Sequence, residues 1–144
     1  MYYTESHNFL DFEKAFDCIS WDFIYQVLLY FNFGNYIINR VKILNTNFMH
    51  VLQSGFLSTQ FLIQRGCRQG DPLAPYLFLR CPKILSVLLK QNHDIRGIMT
   101  REKEHKISQY ADDAALTLDG SSKSFFAALD TLYLFYKLSG FKNK

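Results

Sequence analysis

Late in the chain, Tyr110-Ala111-Asp112-Asp113 sets two carboxylates side by side behind an aromatic and a small residue. Ile107-Ser108-Gln109 precedes them and Ala114-Ala115-Leu116-Thr117-Leu118 follows, apolar or β-prone on both sides. The pattern predicts a β-hairpin with the acids at its tip. Adjacent carboxylates repel each other, and either solvent or a divalent cation, which takes oxygen ligands, can offset that. Aspartate is also an ordinary turn residue, so a solvated turn satisfies the same four positions.

Two further blocks lie upstream. The first is Leu10-Asp11-Phe12-Glu13-Lys14-Ala15-Phe16-Asp17, and the second is Arg65-Gly66-Cys67-Arg68-Gln69-Gly70-Asp71-Pro72-Leu73-Ala74-Pro75. In this order and spacing, the three blocks resemble the polymerase motifs of reverse transcriptases, most closely those of non-LTR (LINE-type) retrotransposons. The resemblance runs through nearly the whole chain, to Ser139-Gly140-Phe141-Lys142. It implies an α+β fold, a polymerase palm that is ferredoxin-like in topology, with one antiparallel sheet and helices on one face. It also implies an RNA-directed DNA polymerase that uses Mg²⁺, deoxynucleotides, an RNA template and a DNA primer.

Nucleotide addition is an in-line displacement at phosphorus, in which two metal ions roughly 3.5–4 Å apart stabilise the attacking and leaving oxygens. Carboxylates from separate strands must converge on one point to hold them. The resemblance assigns metal binding to Asp11 and Asp112, with the Phe12 main-chain carbonyl as a neutral ligand and Asp113 as the accompanying catalytic acid. Asp11 and Asp112 are therefore expected within metal-bridging distance. Tyr110 belongs to the same nucleotide- and template-binding set. Phe16, five residues past Asp11, is expected under the sugar of the incoming nucleotide, where a ring crowds a 2′-hydroxyl; a core aromatic is the alternative. Gln69-Gly70 resembles the nucleotide- and template-facing turn. Arg65 and Arg68 are expected near the template backbone, where phosphate contacts position without specifying sequence. Asp17 reads as a local cap and Lys14 as a solvated lysine.

The sequence also departs from the family pattern. Ala74 replaces the usual serine of the second block, and Arg80-Cys81-Pro82-Lys83 interrupts a helix that the family continues with an apolar residue and a glutamate. The expected domain is residues 1–144 as a partial palm, with N-terminal fingers and thumb absent. A truncated, inactive remnant with weak metal or nucleic-acid binding is the alternative function. Another palm-fold nucleotidyl-transfer enzyme, such as a nucleotide cyclase, is a third, and the Arg-Gln-Gly-Asp-Pro run argues against it.

The bulk properties set outer limits. The chain has 144 residues, 49% hydrophobic and 17% aromatic, which excludes intrinsic disorder. The net charge of +3 is compatible with nucleic acid without demanding it. Three cysteines without metal-ligand spacing and four scattered histidines point away from a zinc site and towards a reduced, intracellular protein, cytoplasmic or nuclear and not secreted. No apolar run reaches the ~18 residues of a membrane helix. Nothing in the sequence indicates a homo-oligomer.

The elements that must position these residues are a central strand ending at Asp11, then a helix capped by Ser20 and stopped by Gly34. A second helix starts near Asn35, with the stripe Ile37, Ile38, Val41, Leu44 and Phe48. A hairpin follows around Ser54-Gly55. The next helix is capped by Asp71-Pro72, is kinked or ended by Pro82, and finishes near Asn92. Strands over 95–100 and 105–109 flank a charged turn. A last helix runs from a Ser121-Ser122 cap to Gly140, carrying Phe125, Phe126, Leu129, Leu132, Tyr133, Phe135 and Tyr136.

Overall fold

In a computed structural model, residues 6–12, 14–45, 48–68, 70–110 and 113–141 are described. The structural centre is a three-stranded antiparallel sheet. Its strands are β1 (Ser6–Asp11), β8 (Ile107–Tyr110) and β9 (Asp113–Leu118), in the order β1-β9-β8. Asp11 ends its strand as expected, but β9 takes the central place and β1 lies at an edge of this sheet. The reason is connectivity. The tight hairpin commits β8 to one side of β9, leaving the other side for β1.

Alternation along the strands explains the layering. Ala114, Leu116 and Leu118 of β9 are buried, as are Leu10 and Phe12 at the end of β1 and Ile107 on β8, whereas Asp113, Ser108 and Tyr110 are exposed. Only one sheet face therefore carries helices. They are α2 (Trp21–Tyr30), α4 (Ala74–Gln91) and α5 (Ser122–Ser139), which pack on one another. The α+β class and the single helical face agree with the sequence expectation. The core between these layers is aromatic. Phe12 lies against Phe141 at 5.0 Å between ring centroids, and Phe135 lies against Phe141 at 5.6 Å.

Several boundaries differ from the sequence reading, each for a local reason. Helix α2 ends at Tyr30 because Asn32 adopts a left-handed φ of 59°, so the chain has already turned before Gly34. Gly34 instead precedes α3 (Asn35–Leu44). On α3 only Ile38 and Val41 are buried, while Ile37 and Leu44 face solvent. The same holds for α5. Leu132 and Phe135 are buried, Tyr136 is half-buried, and Phe125, Phe126, Leu129 and Tyr133 are exposed, their inner places taken by Ser124, Ala128, Thr131 and Ser139. Its caps are as expected. The Ser121 hydroxyl accepts the Ser124 amide at 3.2 Å, and Gly140 has a φ of 80°.

The Ser54-Gly55 turn joins β3 (Leu52–Gln53) to β4 (Phe56–Leu57), both turn residues having positive φ as a two-residue hairpin of mirror-image type requires. Beneath it β2 (Phe48–Met49) pairs with β5 (Phe61–Leu62). The expected strand over 105–109 divides. Lys103–His105 forms β7 against β6 (Ile98–Thr100), and β8 starts after Lys106. Lys106 is buried, its ammonium donating to the carbonyls of Lys90 at 3.3 Å and Asn92 at 3.0 Å. A cation there complements the helix dipole at the end of α4.

Asp71 and Pro72 sit in a turn before α4. The Asp71 carboxylate accepts the Leu73 amide at 2.8 Å, and the helix itself starts at Ala74. Pro82 does not end α4, which continues to Gln91. Packing holds the turn together, because Pro82 is buried and its carbonyl accepts the Gln109 side-chain amide from β8 at 2.9 Å. Proline still leaves the Phe78 carbonyl without its usual i+4 donor. Pro82→Ala should therefore raise unfolding stability by about 1–2 kcal/mol, less than the full ~3 kcal/mol proline cost because the buried ring is lost. A urea midpoint that falls on this substitution would show that the ring's packing outweighs the missing donor.

Candidate functional site: an acid-tipped hairpin beside a backbone stitch

The Tyr110–Asp113 stretch forms a hairpin, with Tyr110 paired to Asp113 across β8 and β9. Ala111 and Asp112 connect them and lie outside the described residues. On the other side of β9, the Cα of Asp11 is the cross-strand partner of Asp113. Directly opposed residues of an antiparallel pair have Cα atoms about 4.5–5.5 Å apart. The register Leu10↔Ala114 and Asp11↔Asp113 thus brings the first and third sequence blocks to one end of the sheet. The expected approach of Asp11 to Asp112 falls on a residue outside those described. What is defined is Asp11 against Asp113, immediately next to it.

Asp113 is exposed on the sheet face without helices, and Tyr110 beside it is 84% exposed. Like charges directly opposed across two strands are destabilising. The backbone register thus opposes two aspartates, residue types whose oxygen-only donors are the kind that suit a hard divalent cation. No cluster of three or more metal-binding side chains occurs among the described residues.

The second block is tied to the segment that follows the first block by a backbone stitch. The Gly66 amide donates to the Ile19 carbonyl and the Cys67 amide to the Phe16 carbonyl, both at 2.7 Å. Ser20 forms an isolated bridge with Arg65, and the Trp21 indole N–H donates to the Gly66 carbonyl at 2.8 Å. Gly66 has a φ of 91°, and a Cβ there would lie 3.0 Å from the Asp17 carbonyl oxygen and 3.2 Å from the Phe16 carbonyl oxygen. The contact atoms are backbone and cannot swing away. Gly66→Ala should destabilise the domain by about 1–3 kcal/mol from the backbone conformation alone. A urea midpoint unchanged from the native chain would contradict the stitch.

The same segment holds the end of α5, with the Ser20 amide donating to the Ser139 carbonyl at 2.8 Å. This displaces the expected roles of Ser20 and Asp17. Ser20 stands at the N-cap of α2 but makes no side-chain cap bond. Asp17 lies within α1 (Ala15–Cys18), and neither α1 nor α2 has a side-chain cap. Lys14, just before α1, adopts a left-handed φ of 45°. Trp21 was legible only as part of a helical stripe. Its role as a hydrogen-bond donor to the second block had no sequence signal beyond its being the only tryptophan.

Phe16 is half-buried and stacks on Phe78 of α4, centroids 4.1 Å apart and planes at 17°. Arg65, Arg68 and Gly70 are exposed on the connection between β5 and α4, and Gln69 lies outside the described residues. Burial with nearby Asp71 pushes the Cys67 thiol up to about 11, and burial also raises Cys81. Both are therefore neutral packing groups.

An open antiparallel sheet face with an acid-tipped hairpin, backed by helices on the other face, defines a palm-like α+β domain. Residues 4–143 match the family of reverse transcriptases (RNA-dependent DNA polymerases), and the chain belongs to that family. It is 30% identical over 135 residues to the retrovirus-related Pol polyprotein from the type-1 retrotransposable element R2 of Popillia japonica, a match covering 91% of this chain and 18% of that protein. It is also 39% identical over 56 residues to an uncharacterized mitochondrial protein of Arabidopsis thaliana, covering 35% of this chain and 46% of that one. The chain thus spans less than half the length of either relative. No helix among the described residues is long and apolar enough to cross a membrane.

Proposed function

We propose that this chain is the palm segment of an RNA-directed DNA polymerase and carries the acids for two-metal nucleotidyl transfer. The observation that supports this most is the register of Asp11 against Asp113 beside the Ala111-Asp112 tip. Asp11, Asp112 and the Phe12 main-chain carbonyl would hold the ions, Mg²⁺ by family usage, and Asp113 adds negative potential. Bound there, the ions supply the charge that stabilises the attacking 3′ oxygen and the leaving pyrophosphate.

The other residues position the reactants. Tyr110 and the Gln69-Gly70 turn face the nucleotide and template, Arg65 and Arg68 hold template phosphates, and Phe16 lies under the incoming sugar. The partners are an RNA template, a DNA primer and deoxynucleotides. A second reading, a copy that has lost activity, is favoured by one feature, the proline inside α4 that supports the Phe16–Phe78 stack.

The experiment is a graft of residues 4–143 into the matched span of an active reverse transcriptase, assayed on primed RNA with Mg²⁺ and deoxynucleotides. Extension supports the palm reading. A folded graft that extends no primer supports the inactive copy.

A further inference from the structure

Side chains alternate along β8, with Ile107 buried and Ser108 and Tyr110 exposed. Gln109 therefore falls on the helix-facing side, half-buried at a position that suits an apolar residue. Its Nε2 donates to the Pro82 carbonyl of α4 at 2.9 Å, across 27 positions of sequence. Just before the strand, the Lys106 ammonium donates to the carbonyls of Lys90 and Asn92 at the end of the same helix. The two ties agree in length. Pro82 to Lys90 is eight residues of helix, about 12 Å, and Lys106 to Gln109 is three residues of strand, about 10 Å. β8 thus lies along α4 and is fastened at both ends, by Lys106 at its base and by Gln109 next to the acid tip.

The helix that receives these bonds also serves the other two blocks. It starts at the end of the second block, and Phe78, four residues before Pro82 and on the same face of α4, stacks on Phe16.

We propose that Gln109 is a positioning residue for the acid hairpin: its bond to Pro82 holds the Tyr110–Asp113 end of β8 and β9 at a set distance from the Phe16–Phe78 stack. It touches no reactant and acts through the hairpin. The inference rests on the palm reading for the chemistry that the hairpin performs, while the tie itself is geometric. Without it, β8 remains hinged at Lys106 and its acid end is free to swing. In-line displacement tolerates little of this, since a misplacement of about 1 Å can cost on the order of 10²-fold in rate. The acceptor is a main-chain carbonyl, so it survives any substitution at residue 82. Only Gln109 carries the tie in its side chain.

The test uses Gln109→Met, which keeps the length of the side chain, suits a half-buried site and donates nothing. Hydrogen exchange of the purified chain is measured first. Amides of residues 107–118 should exchange several-fold faster in the variant, and those of α5 should keep their native rates. In the grafted polymerase the same substitution should lower kcat by about 10–10²-fold and leave KM for the deoxynucleotide unchanged, as expected of an interaction that matters at the transition state. Gln91→Met, at an exposed glutamine ending α4, should change neither readout.

Native exchange rates over 107–118 in Gln109→Met would overturn the tie. Faster exchange in α5 as well would make Gln109 a general determinant of stability and reject the positioning role. A graft that extends primers equally well with and without the Gln109 amide would also reject it, and would leave the palm reading intact. A graft inactive in both forms would count against the palm reading instead, and the exchange result alone would then decide the tie.

Discussion

Asp112→Asn and Asp11→Asn should each reduce primer extension by the grafted polymerase by about 10²–10³-fold or more, the scale on which a single well-placed electrostatic group acts in catalysis. Asp113→Asn should cost less, because its assigned part is to raise the local potential without holding an ion. Asparagine keeps the shape of aspartate and removes its charge. The cross-strand repulsion at Asp11↔Asp113 then disappears, so without metal Asp11→Asn and Asp113→Asn should be as stable as the parent or more stable, by roughly 0.2–1 kcal/mol. Activity and stability thus move in opposite directions. A structural role would lower both together. Extension that survives Asp112→Asn within a few-fold would remove the acid hairpin from the chemistry, and a parallel loss of stability would turn these acids into fold determinants.

Replacing Phe16 by alanine should raise the use of ribonucleotides relative to deoxynucleotides on the order of 10–10²-fold, the range over which a pocket wall rejects one added hydroxyl. The proposed role draws on the ring's setting. It lies on the short α1 helix just past Asp11, is only half-buried, and is held flat by Phe78, which is itself buried. A ring fixed by such a stack can exclude without moving. The measurement is the ratio of kcat/KM for the two nucleotide types. That ratio separates exclusion from simple damage, which would lower both values and leave the ratio unchanged. An unchanged ratio would make Phe16 part of the core alone.

The acid hairpin was legible because it is local. Two short β-prone runs separated by two residues leave few alternatives, and the α5 caps at Ser121 and Gly140 were readable for the same reason. Long-range placement was less accessible. Nothing within residues 8–12 says whether their strand lies at the centre or the edge of a sheet, because this depends on which side of β9 the hairpin has already taken. Helical stripes on α3 and α5 overstated burial, since periodicity marks an apolar face without marking what covers it. Of the kink or end expected at Pro82, the end is absent, because packing keeps α4 continuous.

The stitch between the first and second blocks was hidden altogether. Every hydrogen bond in it except that of Trp21 is made by backbone, which any side chain carries equally. Only Gly66 hinted at it, and glycine in a motif has several explanations. The candidate site is therefore readable as a set of residues, and its assembly is readable only in three dimensions.

The pairing of Asp11 with Asp113 has a consequence for biosynthesis, because the two residues stand 102 positions apart. At about 5–20 residues per second, a ribosome needs roughly 5–20 s to deliver the second partner after the first. During that interval β1 has no neighbour in its sheet, and the nascent chain must keep an apolar strand soluble while α2, α3 and α4 emerge. The seal comes later still, when Ser139 reaches Ser20 and Phe141 closes over Phe12. The acids therefore meet only after the whole stretch from β1 to β9 has been translated. A stalled or prematurely released chain carries the first acid without its partner, and so exposes a loose edge strand to aggregation instead of a half-built catalyst.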